Sequence, residues 1–238
     1  MGLVVAVLVT SIAGVAAARA QNRTAVAGLE STSAEAAVRS SYGQPVQDRY
    51  PAFARVESKS LVLPVSISKA TIVAYHSLDD ELAVVLTPLG QRIDGSLTTQ
   101  GSAVAASSQQ EGVPYYVLDS KGRSGSGTTA VDIGAPAGTL VVSPVSGTIR
   151  SVKQYKLFGK YDDVQIDISP QGLSEVIVTL LLVAEPRINI GESVQAGKTV
   201  LGVVRSSVPE LAERLVPLTG DEGAHVHLQV TESLASLE

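Results

Sequence analysis

The chain has 238 residues and a formal charge of −5, with no basic block and no Lys/Arg stripe, which argues against nucleic acid as its main partner. It contains no Cys, so a disulfide framework and a Cys-type zinc site are both excluded. It is 45% hydrophobic but only 4% aromatic, and its Val, Leu, Ala and Ile, together with 21 Gly and 11 Pro, suit many short β-strands separated by turns.

The first element is "GLVVAVLVTSIAGVAAA", residues 2–18, which carries no charge. Its length is close to the roughly 17–20 residues that a helix needs to cross a bilayer. The "ARA" ahead of Gln21 resembles a signal-peptidase site, so residues 1–20 read as the signal peptide or hydrophobic helical anchor of an exported protein. No Lys or Arg precedes the apolar run, although signal segments usually begin with basic residues.

Residues 21–60 read as a tether. Its first half has the composition of a marginal helix that Gly43 and Pro45 would end, and "GQPVQDRYPAFARVESKS" lacks periodicity. Residues 61–126 read as accessory strands and a loop. "LVLPVSI" alternates, "ATIVAYHS" and "LAVVLTPLG" flank a "LDDE" turn, and "VPYYVLDS" follows a polar excursion.

Residues 127–238 are the most regular part. "TLVVSPVSGTIRSVKQY" gives strand, turn and strand, and "DDVQIDIS" alternates Val164, Ile166 and Ile168 against Gln165 and Asp167. "EVIVTLLLVA" is a near-continuous apolar run, as in a strand covered on both sides, and "INIGESVQAGKTVLGVV" sets glycine turns between short strands. "SSVPELAERLV" is the one helical candidate, and "AHVHLQV" is the last strand. The fold class is mainly β, a sandwich or barrel of short segments.

Three of these stretches, "VDIGAPAGTLVVSPVSGTI", "INIGESVQAGKTVLGVV" and "GAHVHLQV", resemble in order and spacing the LytM/lysostaphin-type zinc endopeptidases of bacterial cell walls. The likeness spans about residues 127–231 and implies a LytM-like β-sandwich or barrel-sandwich hybrid. Biotinyl and lipoyl carrier domains share the "SPVSG" to "GESVQAGK" turn pattern, but no attachment signature surrounds Lys153, Lys156 or Lys160.

The resemblance also implies a site. Active members hold zinc through H-x-x-x-D and the second His of H-x-H. The first His of that pair and one further His assist the chemistry. On that pattern Asp132 and His227 match two metal ligands and His225 matches the first His of the pair. Thr128 stands where the third ligand belongs, Leu182 where the further His belongs, and Gln229 where many members carry an acid. Thr is a poor neutral ligand beside imidazole, and Leu moves no proton.

The expectation is therefore a degenerate, non-catalytic peptidase-like domain of the cell envelope, with no cofactor. Its partner would be cell-wall glycan or peptide, or an envelope protein. The alternative is a zinc metallopeptidase that cleaves peptidoglycan peptides with a rearranged ligand set, Asp132, His225 and His227. Nothing in the sequence ties His76 to that site, and it reads as an ordinary exposed or turn histidine. Asp162, Asp163 and Asp167 read as a solvated strand end rather than as the paired carboxylates of a glycosidase.

Overall fold

The computed structural model describes residues 48–93, 112–118 and 127–233. The apolar run at 2–18, the tether up to residue 47 and most of the polar excursion at 91–112 lie outside the described residues. Among the described residues, no helix is long and apolar enough to cross a membrane.

The described strands form three sheets. The largest has eight strands in the order β12–β8–β9–β10–β14–β6–β3–β5. These are Ser193–Val194, Gly147–Leu157, Tyr161–Pro170, Val176–Leu181, His225–Glu232, Ala130–Gly134, Ile72–His76 and Tyr116–Val117. A three-stranded sheet pairs β2 (Lys59–Val62), β1 (Ala52–Val56) and β4 (Thr87–Pro88). Another pairs β11 (Val183–Ala184), β13 (Val200–Val204) and β7 (Leu140–Val142). The single described helix, α1, spans Pro209–Thr219.

The core lies among these sheets and is aliphatic. Ile133, Ile149, Ile166, Ile168, Leu180 and Leu201 are fully buried. Period-two alternation puts Ile166 and Ile168 on the core face of β9, while Gln165 and Asp167 project from the other. The β8–β9 pairing demands a glycine where it starts. A Cβ on Gly147 would collide with the Ser169 carbonyl oxygen of the opposite strand. The helix begins with Pro209, which has no N–H to leave unpaired there, and ends at Gly220, whose left-handed backbone lets its N–H bond the Val216 carbonyl at 2.9 Å.

Two expectations are corrected here. Residues 52–60 are not tether: β1 and the start of β2 form a hairpin, and Phe53 is buried in the core. A register shift between Ala52 and Ala54 buries Phe53 and Ala54 in succession, which erases the alternation that would mark a strand. The second correction concerns the aspartates. Asp162 is exposed, but Asp163 and Asp167 are buried and hydrogen-bonded rather than solvated.

Within 61–126, β3 and β5 belong directly to the large sheet. β3 pairs antiparallel with β6 along its whole length, and all five of its residues are buried.

Candidate metal centre

The site forms where three neighbouring strands, β14, β6 and β3, cross the large sheet. His227 lies directly opposite Asp132, and Asp132 lies directly opposite Ala74. His76 is two residues beyond Ala74 and pairs with Ala130. Opposed residues share a face and so do residues two apart, so the register places His76, Asp132, His225, His227 and Gln229 on one face.

The side chains converge on one carboxylate. His227 Nδ1 is 2.8 Å from Asp132 Oδ1, His76 Nε2 is 3.4 Å from it and His225 Nε2 is 3.9 Å from it. The Asp132 side chain is only 6% exposed, against 14% for His227. Burial alone would push the Asp132 carboxyl up. The hydrogen bond from His227 and the nearby His76 and His225 rings outweigh it and hold the group well below the usual carboxylate range.

Backbone carbonyls fix two of the rings. A carbonyl only accepts, so His76 Nδ1 donates to Ser77 O at 3.1 Å and His225 Nδ1 donates to Gly223 O at 2.9 Å. Each ring therefore turns its Nε2 toward Asp132. His227 does the reverse: its Nδ1 donates to Asp132, and its Nε2 lies 3.1 Å from Gln229 Oε1. Gln229 serves either charge state of that imidazole, because its amide presents an acceptor or, turned over, a donor.

His76 Nε2 is buried and has no hydrogen-bond partner; at 3.4 Å it acts on the carboxylate electrostatically but is not aligned as a hydrogen bond. A desolvated ring nitrogen with its partner missing, whose other nitrogen is pinned to a carbonyl, is the arrangement of metal-ligating histidines. His76, Asp132 and His227 each offer a ligand atom, and these atoms lie within 4.8 Å of one another. Two imidazoles and a carboxylate match the three-ligand sets of catalytic zinc sites. The residues thus fit a divalent ion, and a zinc ion held there would supply Lewis acidity and a more acidic bound water.

The sequence-based site is partly reassembled. Asp132 and His227 come together, and Asp132 bonds that imidazole directly. His225 lies beside them but outside the three-donor set, whose third member is His76. His76 is corrected from an exposed or turn histidine to a buried one on a strand, 5.4 Å from the His227 ring. Its one local signal was its place at the end of "IVAYH": an imidazole on a wholly buried strand needs a polar partner.

Thr128 sits half-buried just before β6, and its carbonyl accepts the Leu86 N–H at 2.8 Å. On β10, the residue directly across from His227 is Leu181. Leu182 follows the strand's end, buried and with a left-handed backbone at φ 65°. Either way, β10 presents an alkyl group to the site.

From Gln229 the same face continues across Thr179 to Asp167 on β9. Asp167 accepts hydrogen bonds from Ser151 at 2.6 Å, Gln165 at 2.8 Å, Thr179 at 2.9 Å and Lys153 at 3.2 Å. Burial pushes its carboxyl up, but these four donors together hold it below its ordinary value.

No protein-family model and no curated protein matches the chain. Several solved structures do. The solution structure of lysostaphin is 20% identical over 43% of this chain, with a TM-score of 0.33, and this chain spans 35% of its length. A mutant catalytic domain of the prophage-encoded M23 protein EnpA from Enterococcus faecalis is 20% identical over 48% of this chain and 75% of its own, with a TM-score of 0.35. The SpoIIQ–SpoIIIAH pore-forming complex is 14% identical over 79% of this chain and 97% of the matched one, with a TM-score of 0.37.

Proposed function

We propose that residues 48–233 form a peptidase-like domain of the bacterial cell envelope that binds wall glycan or peptide, or a partner protein, without hydrolysing it. One observation carries this reading: Leu181 faces His227 from β10. Amide hydrolysis needs groups that move protons to and from the reacting atoms. Where the resemblance calls for such an imidazole, at the end of β10 and just beyond it, the chain has Leu181 and Leu182. Retention of a metal is compatible with this reading; turnover is not. The extracytoplasmic location belongs to the same proposal and rests on the apolar run at 2–18, as a cleaved signal or a membrane anchor.

The second reading is a zinc metallopeptidase with a rearranged ligand set. The position of His76 beside Asp132 and His227 favours it. In that reading His76 takes the place left by Thr128, and His225 remains to move protons.

The test uses the full chain, purified without chelator and incubated with insoluble peptidoglycan. Co-sedimentation without release of soluble fragments supports the binding role. Fragment release that stops with chelator and in His76→Ala establishes the peptidase instead. If the chain neither sediments nor releases fragments, wall material is not its ligand.

A further inference from the structure

One corner of the large sheet carries a row of hydroxyls. Thr148 on β8 lies directly opposite Ser169 on β9 and, on its other side, Ser193 on β12. Opposed residues share a face, with roughly 4.5–5.5 Å between their Cβ atoms, so the three hydroxyls stand side by side across three strands. They line a groove of roughly 670 Å³, within the size range of ligand sites. A smaller cavity of roughly 180 Å³ adjoins it and shares Ser146, Pro170, Gln171 and Ala196 with it. None of the metal-centre residues lines either cavity, and β10 separates β9 from β14.

Backbone hydrogen bonds fix the walls. The Ser146 carbonyl accepts the Gln171 N–H at 2.9 Å, and its hydroxyl accepts the Ala196 N–H at 3.1 Å, so one residue ties the two walls together. The turn that follows is held by the Gly197 N–H on the Ser143 carbonyl at 2.8 Å and the Gln195 N–H on the Thr199 hydroxyl at 2.9 Å. Each cavity has one lysine. Lys198 lines the larger and Lys59 the smaller, and no Asp or Glu lines either. Glu192, next to Ser193 in the chain, turns its carboxylate to the Asn189 N–H at 3.0 Å. Among the described residues, the lysines paired with carboxylates are Lys153, Lys156 and Lys160, whereas Lys59 and Lys198 are not. The lining thus presents two positive charges and no negative one, on a chain whose net charge is −5. A cleft lined by one sign of charge concentrates ligands of the other. Among the described residues, the hydroxyls of Thr148, Ser169 and Ser193 and the amides of Gln171 and Gln195 make no side-chain hydrogen bond within the protein. They are open to a ligand rich in hydroxyls, and the lining has no aromatic ring to favour an apolar one.

We infer that this groove binds an acidic saccharide, with sugar hydroxyls on the Ser169–Thr148–Ser193 row and its carboxylate or phosphate groups on Lys59 and Lys198. The inference does not rest on the reading of the metal centre: the groove has its own donors, its own charge and its own walls.

The probes are tetragalacturonate, with a carboxylate on each sugar, and mannose 6-phosphate, each titrated into the full chain and followed by amide chemical shifts. Shifts are expected at Thr148, Gln171 and Gln195 with at least one probe, and the tighter binder names the acidic group. Lys59→Gln and Lys198→Gln should each weaken binding by up to about fivefold, the range of exposed ion pairs, and together by about tenfold. Thr148→Val should weaken it by about twofold to tenfold, because it removes a hydrogen bond and keeps the shape of the side chain. The methyl ester of tetragalacturonate, which has the sugar hydroxyls without the charge, should bind at least tenfold more weakly than the acid. Inorganic phosphate should be insensitive to Thr148→Val. Absence of shifts with both probes overturns the inference. So do equal affinity for the methyl ester, unchanged affinity in the double lysine variant, or acetyl-Glu-Glu-Glu-amide binding as tightly as the saccharides, which would make the groove a site for acidic peptide. Inorganic phosphate matching both saccharides in affinity would reduce it to an ion site, and shifts confined to His227 and Gln229 would place the saccharide on the histidines instead.

Discussion

Asp132 and His227 face each other across β6 and β14, with 2.8 Å between Oδ1 and Nδ1. The pair is the hub of the polar face, since His76 and His225 also turn ring nitrogens toward the same oxygen. Asp132→Asn removes the charge but keeps the shape. We expect a loss of about 1.5–3 kcal/mol of folding stability, the usual worth of a buried hydrogen bond to a charged group. Urea denaturation of the two proteins at pH 7 measures it. A change of only a few tenths would show that the carboxylate contributes little.

The three-donor set makes a separate prediction. A ligand that binds only the folded state stabilises it by about 2.7 kcal/mol at a hundred times its Kd. For a domain of this size, zinc should then raise the melting temperature by roughly 5–10 °C. His76→Ala should abolish that shift. Thr128→Val should leave it intact, because His76, Asp132 and His227 make up a three-donor set without a hydroxyl. A shift that survives His76→Ala would place the ion elsewhere.

Much of the sheet was legible. The alternation in "DDVQIDIS", the H-x-H strand and the helix that starts at Pro209 all appear where local pattern puts them, because one residue's environment repeats every second or every third to fourth position. What was hidden depends on pairing at a distance. His76 reaches Asp132 only because β3 docks on β6, and no periodicity encodes which strands become neighbours. Asp167 is buried because β8, β10 and its own strand all send donors to it, which one strand's sequence does not announce. Phe53 was lost to the irregular register that buries consecutive residues. The chemistry at the site was half visible: the resemblance pointed to Asp132 and His227, while the third donor, His76, came from a part of the chain with no motif.

Asp167 sets an acid limit. Its carboxyl is held below the ordinary range by its four donors despite burial. A carboxylate whose folded pKa is depressed stabilises the fold fully above the unfolded value of about 3.9, and that contribution disappears as pH falls through the folded value. Stability should therefore fall as pH drops below about 4. In Asp167→Asn the fall should be shallower, with lower stability at neutral pH. Denaturant midpoints from pH 7 down to about pH 2.5 test both parts. Parallel curves would remove Asp167 from the account.

The β8–β9 hairpin turns through Leu157, Phe158, Gly159 and Lys160, closed by the Lys160 N–H on the Leu157 carbonyl at 3.0 Å. Both central residues have positive φ, 52° at Phe158 and 71° at Gly159. A turn of this hand suits the right-handed twist of the strands and favours Asn-Gly, because Asn tolerates the left-handed region far better than a bulky residue does. Phe158 is also 52% exposed, so little packing offsets the strain. Phe158→Asn should stabilise the domain by about 1 kcal/mol, through relief of a backbone conformation of order 1–3 kcal/mol for such residues. Urea midpoints at constant m-value are the measurement. A destabilised Phe158→Asn would mean that the ring makes contacts worth more than the strain, and Phe158→Gly, which keeps the turn and also lacks the ring, would then be destabilised as well.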